Sequence, residues 1–187
     1  MTHTGSSDAA FRIVGSHTLC DAGFLQMDRL RVASADGEEF DRHVVRHPGA
    51  VVVVPVIDRD ALLVRQWRVA TGRDLLEVPA GKRDVDGESP EATANRELEE
   101  EIGQLAGRLE KLCEFYNSPG FCDEYTHLFL ATDLEARPRR AVSHEEAAMT
   151  IERVPLDGVD ELIAAGELVD AKSIIGLLMA RRLLDAR

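Results

Sequence analysis

The sequence has few cysteines and no spacing that would let them act together. Its 187 residues contain three, Cys20, Cys113 and Cys122, an odd number without a Cys-x-x-Cys pair. A disulfide framework and a zinc knuckle both need cysteines paired at short spacing, so neither is expected. Reduced structural thiols, as in a cytoplasmic protein, are the expectation that remains.

Positive charge and long apolar runs are also scarce. Lys and Arg number 22 against 34 Asp and Glu, which leaves a net charge of −12 at pH 7. So acidic a chain is a poor candidate for nucleic-acid binding, which depends on clustered Lys and Arg. No apolar stretch approaches the roughly 18 residues of a membrane span, and residues 1–10 lack the regions of a signal peptide. We therefore expect a cytoplasmic protein that binds neither nucleic acid nor membranes.

The order of predicted elements indicates an α+β protein. Residues 1–10 have the composition of a disordered lead, and residues 11–48 alternate polar and apolar residues as strands do. AVVVVPVI, Ala50 to Ile57, is a continuous β-branched run and predicts a strand covered on both faces. Further strands follow, one strong helix interrupts them, and two helices close the chain. This order predicts a mixed sheet with helices rather than a regular alternation of strand and helix.

Two shorter stretches are predicted from their composition. LLEVPAG, residues 75–81, is apolar and predicts one short strand that ends in a glycine. RPRRAVSHEEAAM, residues 137–149, predicts a polar loop between strands.

The central helix has clear end signals. Ser89 can cap its N-terminus, and Pro90 suits the first helical position. Good helix formers run from there to Ile102, and Gly103 suits the position after the last turn.

Three carboxylates of this helix fall within about one turn of each other. At about 100° per residue, Glu97, Glu100 and Glu101 lie on one side of the helix. Like charges at this spacing repel, and they lie near the C-terminal end, where a helix disfavours anions. A hard divalent cation such as Mg²⁺ or Mn²⁺ would remove the repulsion, and Arg96 can hold Glu100 at i+4. Taken alone, the helix is open to both interpretations, a solvated acidic face or a metal site.

The residues around the helix favour the metal site. Gly81 ends a strand, and Glu88 is followed, after seven intervening residues, by Arg96-Glu97-Leu98. The stretch GKRDVDGESPEATANRELEEEIG closely resembles the Nudix box, G-x5-E-x7-R-E-U-x-E-E-x-G-U with U apolar. Six residues rather than five separate Gly81 from Glu88, and Gln104 takes the last apolar position. Neither departure removes a carboxylate of the box.

The resemblance to Nudix hydrolases implies a fold and a chemistry. The fold would be α+β, a mixed β-sheet sandwiched between helices, with a small N-terminal β-sheet extension. Residues 49–187 would form the Nudix hydrolase domain, and residues 11–48 would contribute to dimerisation and to substrate binding. The chemistry would be hydrolysis of a nucleoside diphosphate with Mg²⁺ or Mn²⁺ as cofactor.

The same resemblance implies a set of site residues. The metal ligands would be Glu97, Glu101, Glu100, the backbone carbonyl of Ala80, and Glu88. Arg96 would orient a glutamate and, with Glu100, belong to the catalytic apparatus.

Stretches outside the box resemble those of ADP-ribose pyrophosphatases, most closely the actinobacterial ones. LLEVPAGK leads into the box, and Pro119 in NSPGF lies sixteen residues after Gly103. The resemblance covers roughly Arg46 to Leu184 and implies hydrolysis of ADP-ribose to AMP and ribose 5-phosphate by a homodimer. Two alternatives stay open: the same chemistry on another nucleotide sugar such as GDP-mannose, and a non-catalytic Nudix-fold binding module.

Further catalytic and substrate-binding residues follow from this resemblance. In the SHEEAAM loop, Glu146, or else Glu145, would position or deprotonate the attacking water. Arg65 and Arg68 are three residues apart on a strand and face opposite sides, so only one can enter a given cleft. The implied substrate contacts are Arg68 on the diphosphate, Glu77 on the sugar or base, Arg46 from the N-terminal strands, and Pro119.

Overall fold

The computed structural model describes residues 9–187, which fall into two units. One contains residues 9–48 with Ser118–Glu124, and the other contains Gly49–Asn117 with Tyr125–Arg187. The predicted disordered lead lies outside the described residues except for positions 9 and 10. No helix within the described range is long and apolar enough to cross a membrane.

The N-terminal unit contains a three-stranded antiparallel sheet. Its strands are β1 (Phe11–Ala22), β2 (Leu25–Ser34) and β3 (Glu39–Arg46), hydrogen-bonded in that order. The central strand β2 buries Leu30 and Ala33, whereas every residue of β1 is exposed. The small N-terminal sheet predicted from the sequence is therefore present.

The second unit is built on a seven-stranded mixed sheet. Its strands are β4 (Ala50–Ile57), β5 (Asp60–Arg68), β6 (Arg73–Glu77), β7 (Ala80–Lys82), β8 (Gln104–Tyr116), β9 (Tyr125–Ala136) and β10 (Thr150–Pro155). The main path through the sheet runs β10–β5–β4–β9–β8, with β6 paired to β5 and β7 paired to β4. β4 is central, parallel to β9 and antiparallel to β5 and β7.

Helices pack on both faces of this sheet. They are α1 (Pro90–Ile102), α2 (His144–Ala148), α3 (Val159–Ala164) and α4 (Ala171–Asp185), with a 3₁₀ turn at Leu156–Gly158. Successive valines of β4 enter different cores: Val53 packs in the cluster that contains Leu98 of α1, and Val54 in the cluster that contains Leu177 of α4. A strand buried on both faces is a continuous apolar run. The predicted fold, a mixed sheet between helices, is confirmed.

The prediction of one strand over LLEVPAG is wrong. The segment forms two strands, because β6 pairs with β5 and β7 pairs with β4. Pro79 lies between them and has no N–H to donate to a sheet ladder. The break matters for the site because it brings Ala80 and Gly81 onto the central strand.

The prediction of a polar loop over RPRRAVSHEEAAM missed a short helix, since the segment contains α2. The Ser143 hydroxyl accepts a hydrogen bond from the N–H of Glu146 and so caps the helix. Arg139 donates to the carbonyls of Glu146 and Met149 and holds its C-terminal end. The Ser-x-x-Glu pattern is a helix-start signal that is present in the sequence.

Candidate active site

The end signals of α1 place its acidic face. The Ser89 hydroxyl accepts from the N–H of Ala92 at 3.2 Å, and Pro90 is the first helical residue. Gly103 ends the helix in the left-handed conformation, with φ 63°. Both predicted ends of the helix are confirmed, so its glutamates lie on the predicted faces.

Arg96 is the centre of the hydrogen bonds on this face. Its Nη1 donates to Glu97 Oε1 at 2.6 Å and to Glu100 Oε2 at 3.1 Å. Its Nε and Nη2 donate to the two carboxylate oxygens of Glu88, each at 3.2 Å. Nη2 also donates to the carbonyl of Lys82. One guanidinium therefore joins the loop before α1 to two glutamates of the helix, and the predicted pairing of Arg96 with Glu100 is present.

Glu97 and Glu101 are buried carboxylates, with 7% and 3% of their surfaces exposed. Burial raises the pKa of Glu97 to about 7, against the opposing charge of Arg96. Burial and, to a lesser extent, the nearby charge of Glu97 together raise the pKa of Glu101 to about 8. The N–H of Ala80 donates to Glu101 Oε2 at 3.2 Å. Two neighbouring acids keep their protons to this pH where the surrounding positive charge is too small to stabilise both as carboxylates. A bound cation would supply the missing charge.

Gly81 allows the helix to approach strand β7 closely. A Cβ at this position would lie 1.8 Å from Cδ of Glu97 and 1.9 Å from its Oε1. A side chain there would displace the Glu97 carboxylate, so glycine at the first position of the box lets this carboxylate lie against the backbone of β7.

Glu146 is brought to the acidic face by the loop that carries α2. Its negative charge contributes to the raised pKa of both buried glutamates. Its carboxylate accepts from the N–H of Val142 at 2.7 Å and from the Ser143 hydroxyl at 3.0 Å. Glu145 is exposed to solvent. Of the two candidates for the attacking water, the structure places Glu146 beside the buried acids.

Arg68 and Glu77 form a bidentate ion pair. Nε and Nη2 of Arg68 each donate to one oxygen of Glu77 at 2.7 Å, and Lys172 Nζ donates to Glu77 Oε2 at 2.6 Å. Burial acts to raise the pKa of Glu77, but these two cations hold it below its usual value. Glu77 is buried. That position favours a role in holding Arg68 over the predicted contact with a sugar or base.

Arg68 is only partly buried, and its charge acts to lower the pKa of Glu101. The guanidinium is therefore close to the acidic face. Arg65, three residues earlier, instead pairs with Glu152 on β10. The two arginines take different partners, as expected for this spacing on a strand.

The two remaining candidates, Arg46 and Pro119, belong to the N-terminal unit. Arg46 donates to Asp28 at 3.0 Å and to Asp123 at 2.9 Å. Pro119 lies in Ser118–Glu124, the segment that carries Asp123. Within this unit, the loop predicted to contact substrate is tied to the strand that carries Arg46.

The donor set on α1 fits a hard divalent cation. Within residues 9–187, no three acidic, histidine or cysteine side chains are already spaced as metal ligands. The guanidinium of Arg96 supplies positive charge to Glu88, Glu97 and Glu100. The glutamate side chains on this face supply carboxylate oxygens, the ligand type that Mg²⁺ and Mn²⁺ prefer. A cation would displace the protons that the two buried carboxyls retain.

Lys172 and Arg139 are charged residues that the sequence patterns did not single out. Lys172 contacts a buried glutamate of the site, and Arg139 holds the helix that carries Glu146. Lys172 acts across 95 positions of the chain, whereas Arg139 lies seven positions from Glu146. The local signal near Lys172 is Asp170, which caps the start of α4 by accepting from the N–H of Ser173.

Comparison with known proteins agrees with this geometry. The chain is 41% identical over 139 residues to an ADP-ribose pyrophosphatase of Bacillus subtilis, covering 74% of this chain and 75% of that protein. It is 38% identical over 169 residues to an ADP-ribose pyrophosphatase of Mycobacterium tuberculosis, covering 90% and 82%. A crystal structure of an ADP compounds hydrolase shares the fold with a TM-score of 0.84 at 23% identity, covering 97% of this chain and 98% of that chain.

The family profile of the NUDIX domain matches residues 46–174, which include both the acidic helix and the loop of Glu146. The box residues predicted from the sequence lie within this match. The chain therefore belongs to the Nudix family of hydrolases.

Proposed function

We propose that this hydrolase cleaves the diphosphate of ADP-ribose to AMP and ribose 5-phosphate, with Mg²⁺ or Mn²⁺ as cofactor. The observation that carries the proposal is the pair of buried carboxyls, Glu97 and Glu101, with raised pKa values beside a partly exposed arginine. The choice of substrate is supported by the two relatives named as ADP-ribose pyrophosphatases and by the spacing of Pro119 from the box.

The cation would be held by the box residues. Glu97, Glu101 and Glu100 would be its side-chain ligands, with the Ala80 carbonyl and Glu88 as further donors. Bound there, a divalent cation supplies charge neutralisation for the diphosphate and a lower pKa for the attacking water. Arg96 would position Glu97 and Glu100, because its Nη1 donates to both.

The remaining steps fall to side chains around the acidic face. Glu146 would orient the water and accept its proton. The water oxygen forms a bond to one phosphorus while the bridging P–O bond breaks, which leaves one phosphate on each product. Arg68 would bind the diphosphate, since a guanidinium held by a carboxylate on one side can donate to phosphate oxygens on the other. Arg46 and Pro119 would add substrate contacts from the N-terminal unit.

We expect ADP-ribose to be the preferred substrate in a panel with GDP-mannose, UDP-glucose, NADH and diadenosine polyphosphates, with products identified by chromatography.

Glu101→Gln should lower kcat about 100-fold or more, because it removes a negative charge from the cation site. Glu99→Gln is the matched control on the same helix, where Glu99 pairs with Arg140. The absence of AMP from ADP-ribose at every metal concentration would contradict the substrate, and full activity of Glu101→Gln would contradict the metal assignment.

Gly81→Ala should weaken Mn²⁺ binding about tenfold or more, as measured by calorimetry or electron paramagnetic resonance. The added methyl group would displace the Glu97 carboxylate. Gly158→Ala is the control, because a Cβ there meets no described atom within 4 Å. Equal Mn²⁺ affinity in Gly81→Ala and wild type would exclude Glu97 as a ligand.

The metal-free protein should lose stability as the pH rises from about 4.5 to about 8, and the loss should level off above that range. Both buried carboxyls have folded-state pKa values, about 7 and about 8, above the ordinary 4.5. Their protonated forms therefore stabilise the fold fully below the ordinary pKa, and this contribution is lost as the pH passes the two raised values. Thermal unfolding in a chelator should show the decrease, and saturating Mg²⁺ should remove most of it. Glu101→Gln should lessen it, and a flat profile in wild type would contradict the raised pKa values.

We also propose a homodimer in which a second copy covers β1. That strand exposes large apolar side chains, which mark association surfaces: Phe11, Ile13, Val14 and Leu19. Light scattering should give twice the chain mass of 20.6 kDa, and Ile13→Asp should shift the mass towards the monomer. A monomeric wild type at micromolar concentration would refute the dimer.

A further inference from the structure

A cluster of four charged side chains joins the start of α4 to the end of β6. It contains two acids, Glu77 and Asp170, and two bases, Arg68 and Lys172. The Glu77 side chain is 1% exposed and that of Lys172 18%, against 40% for Arg68. The formal charges balance, and Arg68 is the member of the four with the largest exposed fraction.

The helix holds the strand at two adjacent positions. Lys172 Nζ donates to Glu77 Oε2 at 2.6 Å and to Asp170 Oδ1 at 2.7 Å. The Ser173 hydroxyl accepts from the N–H of Val78 at 2.9 Å. Asp170 accepts from the N–H of Ser173 at 3.0 Å and caps the helix. Neighbouring residues of α4 therefore hold neighbouring residues of the strand, which leaves the Glu77 carboxylate little freedom to turn.

We propose that Lys172 is a positioning residue for substrate binding, which acts through Glu77 on Arg68. The proposal rests on the proposed function, in which Arg68 binds the diphosphate. Both oxygens of Glu77 are used on the Arg68 guanidinium, so the orientation of Glu77 sets the plane of that group. Lys172 fixes this orientation because it shares Oε2 with Arg68.

Lys172 also sets the charge that Arg68 can offer to an anion. With both cations present, the negative charge of Glu77 is shared between two partners. Without Lys172, Glu77 and Asp170 would both act on Arg68, and its attraction for a diphosphate would weaken. Arg65 is in a different position, because it pairs with Glu152 and both side chains are 37% exposed.

Steady-state kinetics of Lys172→Met tests the proposal through the separation of KM from kcat. We expect KM for the hydrolysed nucleotide sugar to rise about tenfold, the scale of one charge-assisted hydrogen bond, and kcat to stay within about threefold. Lys172→Arg should restore most of the affinity. Lys111→Met is the matched control, since Lys111 pairs with Glu114 on β8, and it should keep the wild-type KM.

A double variant separates action through Arg68 from general loss of structure. If Lys172 acts through Arg68, adding Lys172→Met to Arg68→Met should raise KM no further. A multiplicative rise in KM would overturn the proposal, as would a wild-type KM in Lys172→Met. Equal Mn²⁺ affinity in Lys172→Met and wild type should accompany the result, and a lost Mn²⁺ affinity would overturn a role that acts through Arg68.

A measurement on the protein without substrate tests the positioning role of Lys172 independently of which substrate is hydrolysed. In NMR spectra of ¹⁵N-labelled protein, the Nε–H signal of Arg68 should exchange slowly with water, because it is bonded to buried Glu77. The exchange should be faster in Lys172→Met and unchanged in Arg65→Met. An unchanged Arg68 signal in Lys172→Met overturns the positioning role whichever diphosphate is hydrolysed. Absence of ADP-ribose hydrolysis by wild type overturns only the proposed substrate.

Discussion

Two neighbouring carboxylates held away from water are the constraint on which the rest of the site depends. Each pH unit by which the pKa of Glu97 or Glu101 is raised corresponds to about 1.4 kcal/mol against ionisation. Ionising both without a cation would therefore cost several kcal/mol. That is a large share of the free energy of unfolding of a typical domain, about 5–15 kcal/mol. The helix keeps this arrangement because Leu98 and Ile102, on its other faces, are buried in the core beneath the sheet.

Cationic side chains around the pair compensate only part of that cost. Arg96 donates a hydrogen bond to Glu97, whereas the charge of Arg68 acts to lower the pKa of Glu101. Arg68 is in turn held by Glu77, and Glu77 by Lys172 at the start of the last helix. The arrangement keeps arginines close to the acids while it leaves the acids short of positive charge. That balance suits a site that binds both a cation and an anionic substrate.

Local sequence predicts the elements that depend on local physics. Ser89 and Gly103 mark the ends of α1 because capping is decided within a few residues. The run Ala50–Ile57 predicts the central strand because burial on both faces demands apolar residues at every position. Local pattern fails where a segment's partner is distant. The sequence around Pro79 does not show that β6 and β7 pair with different strands. The helix α2 escapes prediction for another reason, because it is only five residues long.

The sequence by itself determined the fold class, the acidic face of α1 and the identity of the box, because each depends on the spacing of residues within short segments. Tertiary structure decided which acids are buried, and hence which pKa values are raised, since burial depends on the packing of α1 against β7 at Gly81. It also decided that Glu146, not Glu145, lies beside the buried acids, and that Lys172 reaches Glu77 across 95 positions of the chain. Contacts between residues so far apart in sequence leave no periodic signal in either segment.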